Sequence, residues 1–560
     1  NTALGFEALR AFTTGYNNTI MGWRAGYSKT TGFANVYLGY QAGYRNTTGR
    51  SNIAIGGNAQ QGVSGQTDGD YNISLGENSL LGLTTGNHNF AAGAGAGLSL
   101  TSGENNIIMG ASAGDALTTT SNTVIIGRAA GSAINSADAN GTVLLGAYAG
   151  TALTDGQYNT IIGTTAGQEI TTNNRNTIIG YEAVYSSSAN DDLVVVGYKA
   201  GYNLNGDDHT GAVLIGSEAG YNLTNDHPAQ QGSMYIGYQA GYNYTTANTS
   251  MGIGFKALYG LYVGANGGSH SNTYGSNLAV GDYSGYYGGN TTGFGGSTYL
   301  GHNAGREHVG GRSLYVGLNA GQFAGSGSEN VALGYHAMRG SYYSDDSSLN
   351  NEGKSVAIGA YALEKMPDAG ANGLHTVAIG YQALSNQSGS SGGRNVAIGY
   401  AAMNGTNSYS NYNTCVGYGA GSWSAPNILN TVAIGGLGTA GAITAVAGTF
   451  IGAQYCGYRS GTSGNVAVGL GAARYIKGSY VAIGIQALRG VADHSPATQN
   501  VAIGYYAGRL VDSGSYNTMV GQYSGQLVGD GDENSFFGYQ AGRYATGSKN
   551  TFMGYQSGYG

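Results

Sequence analysis

Apolar residues in this chain come in short bursts, and each burst ends on a glycine. The pattern Asn-x-x-apolar-Gly runs from Gly5, Gly22, Gly39 and Gly56 to Gly521, Gly538 and Gly554, 31 times in all. Fifteen of the 30 spacings equal 17 residues, and the mean is (554 − 5)/30, or 18.3. The residue before the glycine is apolar throughout, as in Leu4, Met21, Leu38, Ile179 and Phe537. Two residues earlier stands mainly Val or Thr, as in Thr19, Val36, Val331 and Val501. Period-two alternation places these two positions on one face, and Val, Ile and Thr suit a pleated surface. The segment is too short for a helix and reads as a strand stopped by glycine.

Three residues past the glycine stands alanine in 25 of the 31 repeats, often followed by glycine. Such a small pair at a fixed place implies close approach of backbone to backbone. Thr-Thr-Gly or Asn-Thr-Thr turns follow, as at residues 47–49 and 84–86. One unit therefore reads as strand, tight corner, second short strand, turn. It cannot bury its own face, but stacked copies can. The predicted fold is all-β: a parallel β-solenoid, or β-roll, of about 31 coils with a 17-residue basic repeat, filling residues 1–560 as one continuous domain. The first anchor position is Asn in 18 repeats and Ser or Thr in nine. A column of amides predicts a hydrogen-bonded ladder along the axis, although Asn is also a good turn residue.

Strings such as NVAIGYYAG (from Asn500), NVAIGYAAM (from Asn395), SVAIGAYAL (from Ser355) and TVAIGYQAL (from Thr376) resemble the head repeats of trimeric autotransporter adhesins. They are also similar to Asn-Thr-Ala-x-Gly-Tyr-x-Ala repeats of phage tail fibres and bacterial surface proteins. The resemblance covers essentially the whole chain. It implies a parallel β-roll, left-handed and three-chained in the adhesin heads. Those units are nearer 14 residues, so each turn here is longer.

The flanking strand positions are expected to line the interior, so the middle residue, two before the glycine, should point outward. It is often apolar: Ile20, Ala54, Ile108, Ile125, Leu144, Ile161, Ile178, Val195. Monomers seldom expose such a stripe, so self-association is expected, as a homotrimer or a head-to-tail filament. The alternative is a wider interior that buries both faces. Tyrosines form a second candidate stripe directly after the glycine, as in Tyr40, Tyr181, Tyr198, Tyr400 and Tyr505, with others after the Ala-Gly pair, as in Tyr27, Tyr44, Tyr202 and Tyr221. They either stack between coils or offer a platform for sugar rings.

Composition narrows the function classes. Glycine makes up 104 of 560 residues, about 19 %, charged residues only 9 %, and the formal net charge is −7. Four prolines exclude collagen and two cysteines exclude a disulfide scaffold. The negative charge argues against a nucleic-acid partner, and no apolar run is long enough for membrane insertion. The nine histidines are scattered, and Cys415 and Cys456 lie 41 residues apart at different corners of their coils. No catalytic residue, metal site or cofactor site is expected. Acidic turns at 68–70, 191–192, 207–208 and 530–533 are compatible with calcium, but read as solvated loops.

Irregular spacings mark flank loops near 260–276 and 341–354. Insertions in a solenoid emerge on its flank, often on the binding face. Tyr262, His270, Tyr274, Tyr342, Tyr343, Asp345 and Asp346 are the candidate surface contacts. Ten sequons are candidate N-glycan sites: Asn17, Asn46, Asn72, Asn140, Asn222, Asn243, Asn248, Asn290, Asn386 and Asn404. Two functions are compatible with these features. The first is a non-enzymatic extracellular fibre or filament at a cell or virion surface, to which repeat units at both chain ends point. The second is an adhesin head or tail-fibre segment that binds cell-surface glycans.

Overall fold

The structure is a computed structural model. It describes residues 1–63, 69–187, 190–204, 209–223, 232–243, 250–260, 277–286, 296–308, 310–325, 327–340, 353–365, 375–385, 393–405, 411–422, 430–436, 448–452, 456–457, 464–491 and 496–560. The fold is a parallel β-solenoid. Each repeat contributes one short strand, such as Thr19–Met21, Val36–Leu38 or Thr177–Ile179. Within each unit consecutive strands pair in parallel with no slip: Thr2 faces Thr19, Ile161 faces Ile178, Ala502 faces Met519. Two compact units are built on residues 1–260 and 278–560. The first holds 15 of these strands and the second 16.

Coil-to-coil bonding extends well beyond the strands. Gly22 N donates to the Leu4 carbonyl, Gly26 N to that of Ala42 and Ser28 N to that of Tyr44, at 2.8–2.9 Å. The expected second strand is mostly absent. Among the described residues only Ser186–Ser187 and Asn203–Leu204 form such a strand pair, with single parallel bridges such as Asn243 with Gly260 and Gly490 with Val511. Elsewhere the corner is a run of turns, because residues two past the glycine take positive φ, as in Arg24 (53°), Gln41 (51°) and Lys199 (51°). That conformation leaves the β region, while the stacked amides still bond.

The inside-outside assignment read from the sequence is inverted. Ile20, Ala54, Ile108, Ile125, Leu144, Ile161, Ile178 and Val195, expected on the surface, are fully buried. The flanking positions point outward: Met21 is 40 % exposed and Ile107 42 %. A three-residue strand closed by corners at both ends can aim only its central side chain at the axis. Ile178 is therefore the core position of its coil and Ile179 lies on the outer face.

The asparagine ladder is present. The Asn18 amide donates to Oδ1 of Asn1 (2.9 Å) and to the Gly32 carbonyl (2.9 Å). Asn35 repeats this with Asn18 and Gly49, and Asn89 with Asn72 and Gly103. Each Oδ1 also accepts the backbone N–H of the next coil, as from Asn35 N to Asn18 (3.0 Å). These amides are buried, so every bond they make in place of water stabilises the stack.

The core obeys a volume rule between the central strand residue and the residue four past the glycine. Where the first is large the second is glycine in most repeats, as in Ile20 with Gly26, Ile161 with Gly167 and Phe536 with Gly542, while Ile178 with Val184 departs from this. A Cβ on Gly542 would lie 2.7 Å from the Phe536 ring. Where the first is small the second is large and buried: Ser74 with Leu80, Ala357 with Leu363, Ala378 with Leu384, Ala397 with Met403, Ala482 with Leu488. In several repeats both are small, as in Ala91 with Gly97, Ala467 with Ala473 and Ala502 with Gly508, and at the last of these the neighbouring Met519 and Leu488 lean into the gap. Interiors tolerate neither voids nor overlap, so one volume is divided between two columns.

Candidate functional surfaces

The outer strand face is the largest candidate surface. Its two columns carry Val, Thr, Ile, Leu, Met, Phe, Ala and one Ser, with no charged residue in any of the 31 strands. Ionic groups gather beside it. On one side Glu7 bonds Arg24 (2.7 Å) and Glu182 bonds Lys199 (3.2 Å). On the other Arg175 bonds Asp192 (2.6 Å) and Arg312 bonds Glu329 (3.2 Å). Arg175 holds the Asp192 carboxyl below its ordinary range through that hydrogen bond.

The tyrosines form ladders. Tyr185, Tyr202, Tyr221, Tyr242 and Tyr259 stack in sequence with ring centroids 4.9–5.2 Å apart and planes within 11°. In the column after the glycine, Trp23 stacks on Tyr40 (4.8 Å) and Tyr400 on Tyr418 (4.9 Å). Lys199 Nζ lies 5.5 Å from the Tyr198 ring and 5.2 Å from the Tyr202 ring, tying the two columns together. Stacking at this spacing fills the ring faces with other rings, leaving edges and hydroxyls to solvent. Elsewhere the rings meet edge to face, as Tyr361 with Tyr381 (80°) and Tyr505 with Tyr523 (86°).

The other sequence candidates fall in several places. Tyr262, His270, Tyr274, Tyr342, Tyr343, Asp345 and Asp346, together with Asn248, Asn290 and Asn386, lie outside the described residues. Asn17 is exposed, while Asn140 and Asn404 are half-buried. Asn46 and Asn72 are buried. Asn46 Oδ1 accepts a hydrogen bond from the Lys29 ammonium (2.6 Å), and Asn72 belongs to the ladder. A glycan on either would displace core groups. Asn203, Asn222 and Asn243 form a short second amide ladder with bonds of 2.7 Å. Of the acidic turns, 207–208 lies outside the described residues, while Asp70 binds Arg50 (2.7 Å) and Asp530 accepts from the Ser513 backbone (3.1 Å) of neighbouring coils. Among the described residues no three His, Cys, Asp or Glu gather as a metal site. Cys415 and Cys456 are free thiols, and burial pushes both up to about 12.

His308 is a buried titratable group that composition alone did not single out. It occupies the column seven past the glycine, where Leu83, Leu100 and Leu153 stand elsewhere. Its Nε2 lies 2.8 Å from the Gly327 carbonyl, which can only accept, so Nε2 carries the proton. Nδ1 then accepts from the Tyr299 hydroxyl (2.9 Å). Burial drives its pKa down from 6.5 to about 4, partly opposed by the Gly327 carbonyl. In the unfolded chain the ring ionises near pH 6.5. As pH falls, the unfolded state takes the proton first, so stability is complete above pH 6.5 and drains between 6.5 and 4. The full loss is about 3 kcal/mol. Denaturant titrations at pH 7 and pH 5 are expected to show this decline, and His308→Gln, which cannot titrate, is expected to flatten it. An equal decline in both proteins would remove His308 as the cause.

No family model, curated protein or solved structure matches the chain.

Proposed function

We propose that the chain is a non-enzymatic structural fibre protein, a repeat segment of a shaft or filament on the outside of a cell or virion. The observation that carries this reading is the continuity of bonding along the coil stack. Within each unit, coil joins coil through strand pairing and corner amides, and through buried asparagines where the repeat carries them. The interior is filled by Ile, Leu, Ala and aromatic side chains of the chain itself, which leaves work to the surface. Force applied along such a stack is shared by many parallel hydrogen bonds per coil, which suits a mechanical element. The tyrosine ladders favour the same role, since rings that stack between coils stiffen the corner. The alternative, glycan capture, draws no support from the stacked stretches, such as Tyr185 to Tyr259, because their faces are occupied. Negative-stain electron microscopy of the purified chain, paired with a glycan array, tests the reading. Thin elongated particles that retain no glycan are expected. Compact globular particles, or selective glycan retention, would overturn it.

A further inference from the structure

We propose that the apolar outer strand face is an interface between two copies of this chain, packed sheet against sheet with their coil stacks side by side and parallel. This goes beyond the fibre reading and does not depend on it: a dimer that builds no fibre would leave the interface standing.

Four observations lead to a second copy. The face is continuous within each unit, 15 strands in one and 16 in the other. At about 4.8 Å per strand and about 10 Å of width, 15 strands present roughly 700 Å². A stable interface takes about 800 Å² from each partner, so a single unit nearly supplies it. Isolated monomers rarely leave a patch of this size uncovered. The second observation is charge. The face itself has none, while Glu7, Arg24, Glu182, Lys199, Arg175 and Asp192 border it. An uncharged centre with an ionic margin is the anatomy of a protein interface.

The third observation is pitch. Strands Thr160–Ile162, Thr177–Ile179 and Val194–Val196 pair without slip, so the side chains of each column recur at every strand step. Ridges with that period fit grooves with the same period, and a copy of the chain has it by construction.

The fourth observation is column shape, and it sets the orientation. The column before the glycine holds Ile and Leu in most repeats, such as Ile162, Ile179, Ile215 and Ile236. The column two residues earlier is smaller in many, as at Thr160, Thr177, Val194 and Val213. A two-fold axis along the coil stack lays the large column of each copy on the small column of the other. An axis along the strands would instead set large on large and small on small, which packs worse. The parallel arrangement also brings the tyrosine column beside the glycine of one copy next to the column with Arg175 and Asp192 on the other.

Light scattering and paired cysteines test this on the full chain. Wild type is expected to have twice the chain mass at micromolar concentration. Replacing Ile162, Ile179, Ile215 and Ile236 together with Lys is expected to weaken association at least about a hundredfold, with unchanged circular dichroism, because all four face outward. If that variant fails to fold, single cysteines still decide. Oxidising a mixture of Thr160→Cys chains with Ile162→Cys chains is expected to yield a covalent dimer, and oxidising either alone is expected to yield none. The native thiols are buried and stay silent. A monomeric wild type, a trimer, or a covalent dimer from Thr160→Cys alone would overturn the proposal. So would a monomer that partitions onto phosphatidylcholine vesicles, which would assign the face to a bilayer.

Discussion

Gly180→Ala is expected to break its coil, at a cost on the order of 4 kcal/mol. Gly180 sits at φ +141°, a region that side-chain-bearing residues scarcely enter, and an added Cβ would lie 2.1 Å from the Gly197 carbonyl oxygen. That oxygen belongs to the next coil's backbone and cannot rotate away. Either the two coils separate locally or the strand pairing of Ile178 with Val195 opens. Both routes expose the core and the amide ladder together, which is why the effect belongs to the exceptional class of single substitutions. Gly167→Ala is the control. Gly167 sits at φ +57°, and its Cβ would meet only side-chain carbons of Ile161 and Ile170 at 3.1 Å. Ala473 holds the equivalent place at φ 51°. A cost of about 1 kcal/mol is expected there. Hydrogen exchange at the backbone amides of 177–179 and 194–196 separates the two cases. Equal protection in both variants would refute the glycine requirement.

The repeat, the glycine stop and the amide ladder were legible in the sequence because each is a local feature copied coil after coil. The direction of the side chains was not. Reading the flanking Val and Ile as core rests on the habit that branched aliphatics are inside, and the outer columns break that habit. The correction was nevertheless present. Asn18 and Ile20 are two residues apart and share a face, so a ladder buried at Asn18 requires Ile20 to be buried too. Parity outranks hydrophobicity when all three strand positions are apolar, as in Val124–Ile126 and Val194–Val196. The volume rule was also written in the chain, in the exchange of Ala-Gly for Ala-Leu beside large or small central residues. It gained meaning only once the central residue was known to point inward. The second strand was overread because nothing in Arg24, Gln41 or Lys199 announces positive φ. The stacked backbone imposes it, and local propensity does not.

Exchanging the two kinds of core is the stricter test of that volume rule. Phe536→Ala is expected to cost 3–5 kcal/mol in proportion to the void it leaves. Phe536 is fully buried, stacked on Phe552 at 5.3 Å, and carries no polar atom to complicate the loss. Gly542→Leu alone is expected to cost about 2–3 kcal/mol, since its Cβ would overlap the Phe536 ring at 2.7 Å. The double variant converts this coil to the kind seen at Ala378 with Leu384 and Ala482 with Leu488. The leucines there sit at φ 52° and 50°, and Gly542 sits at 54°. The backbone is therefore already in place, and the new side chain enters the space the ring vacates. The double variant is expected to fall within about 1–2 kcal/mol of wild type, where independent effects would sum to about 6. Denaturant unfolding of all four proteins closes the cycle. A double variant as unstable as the sum would show that the two columns do not share one volume, and the pairing across the repeats would then need another cause.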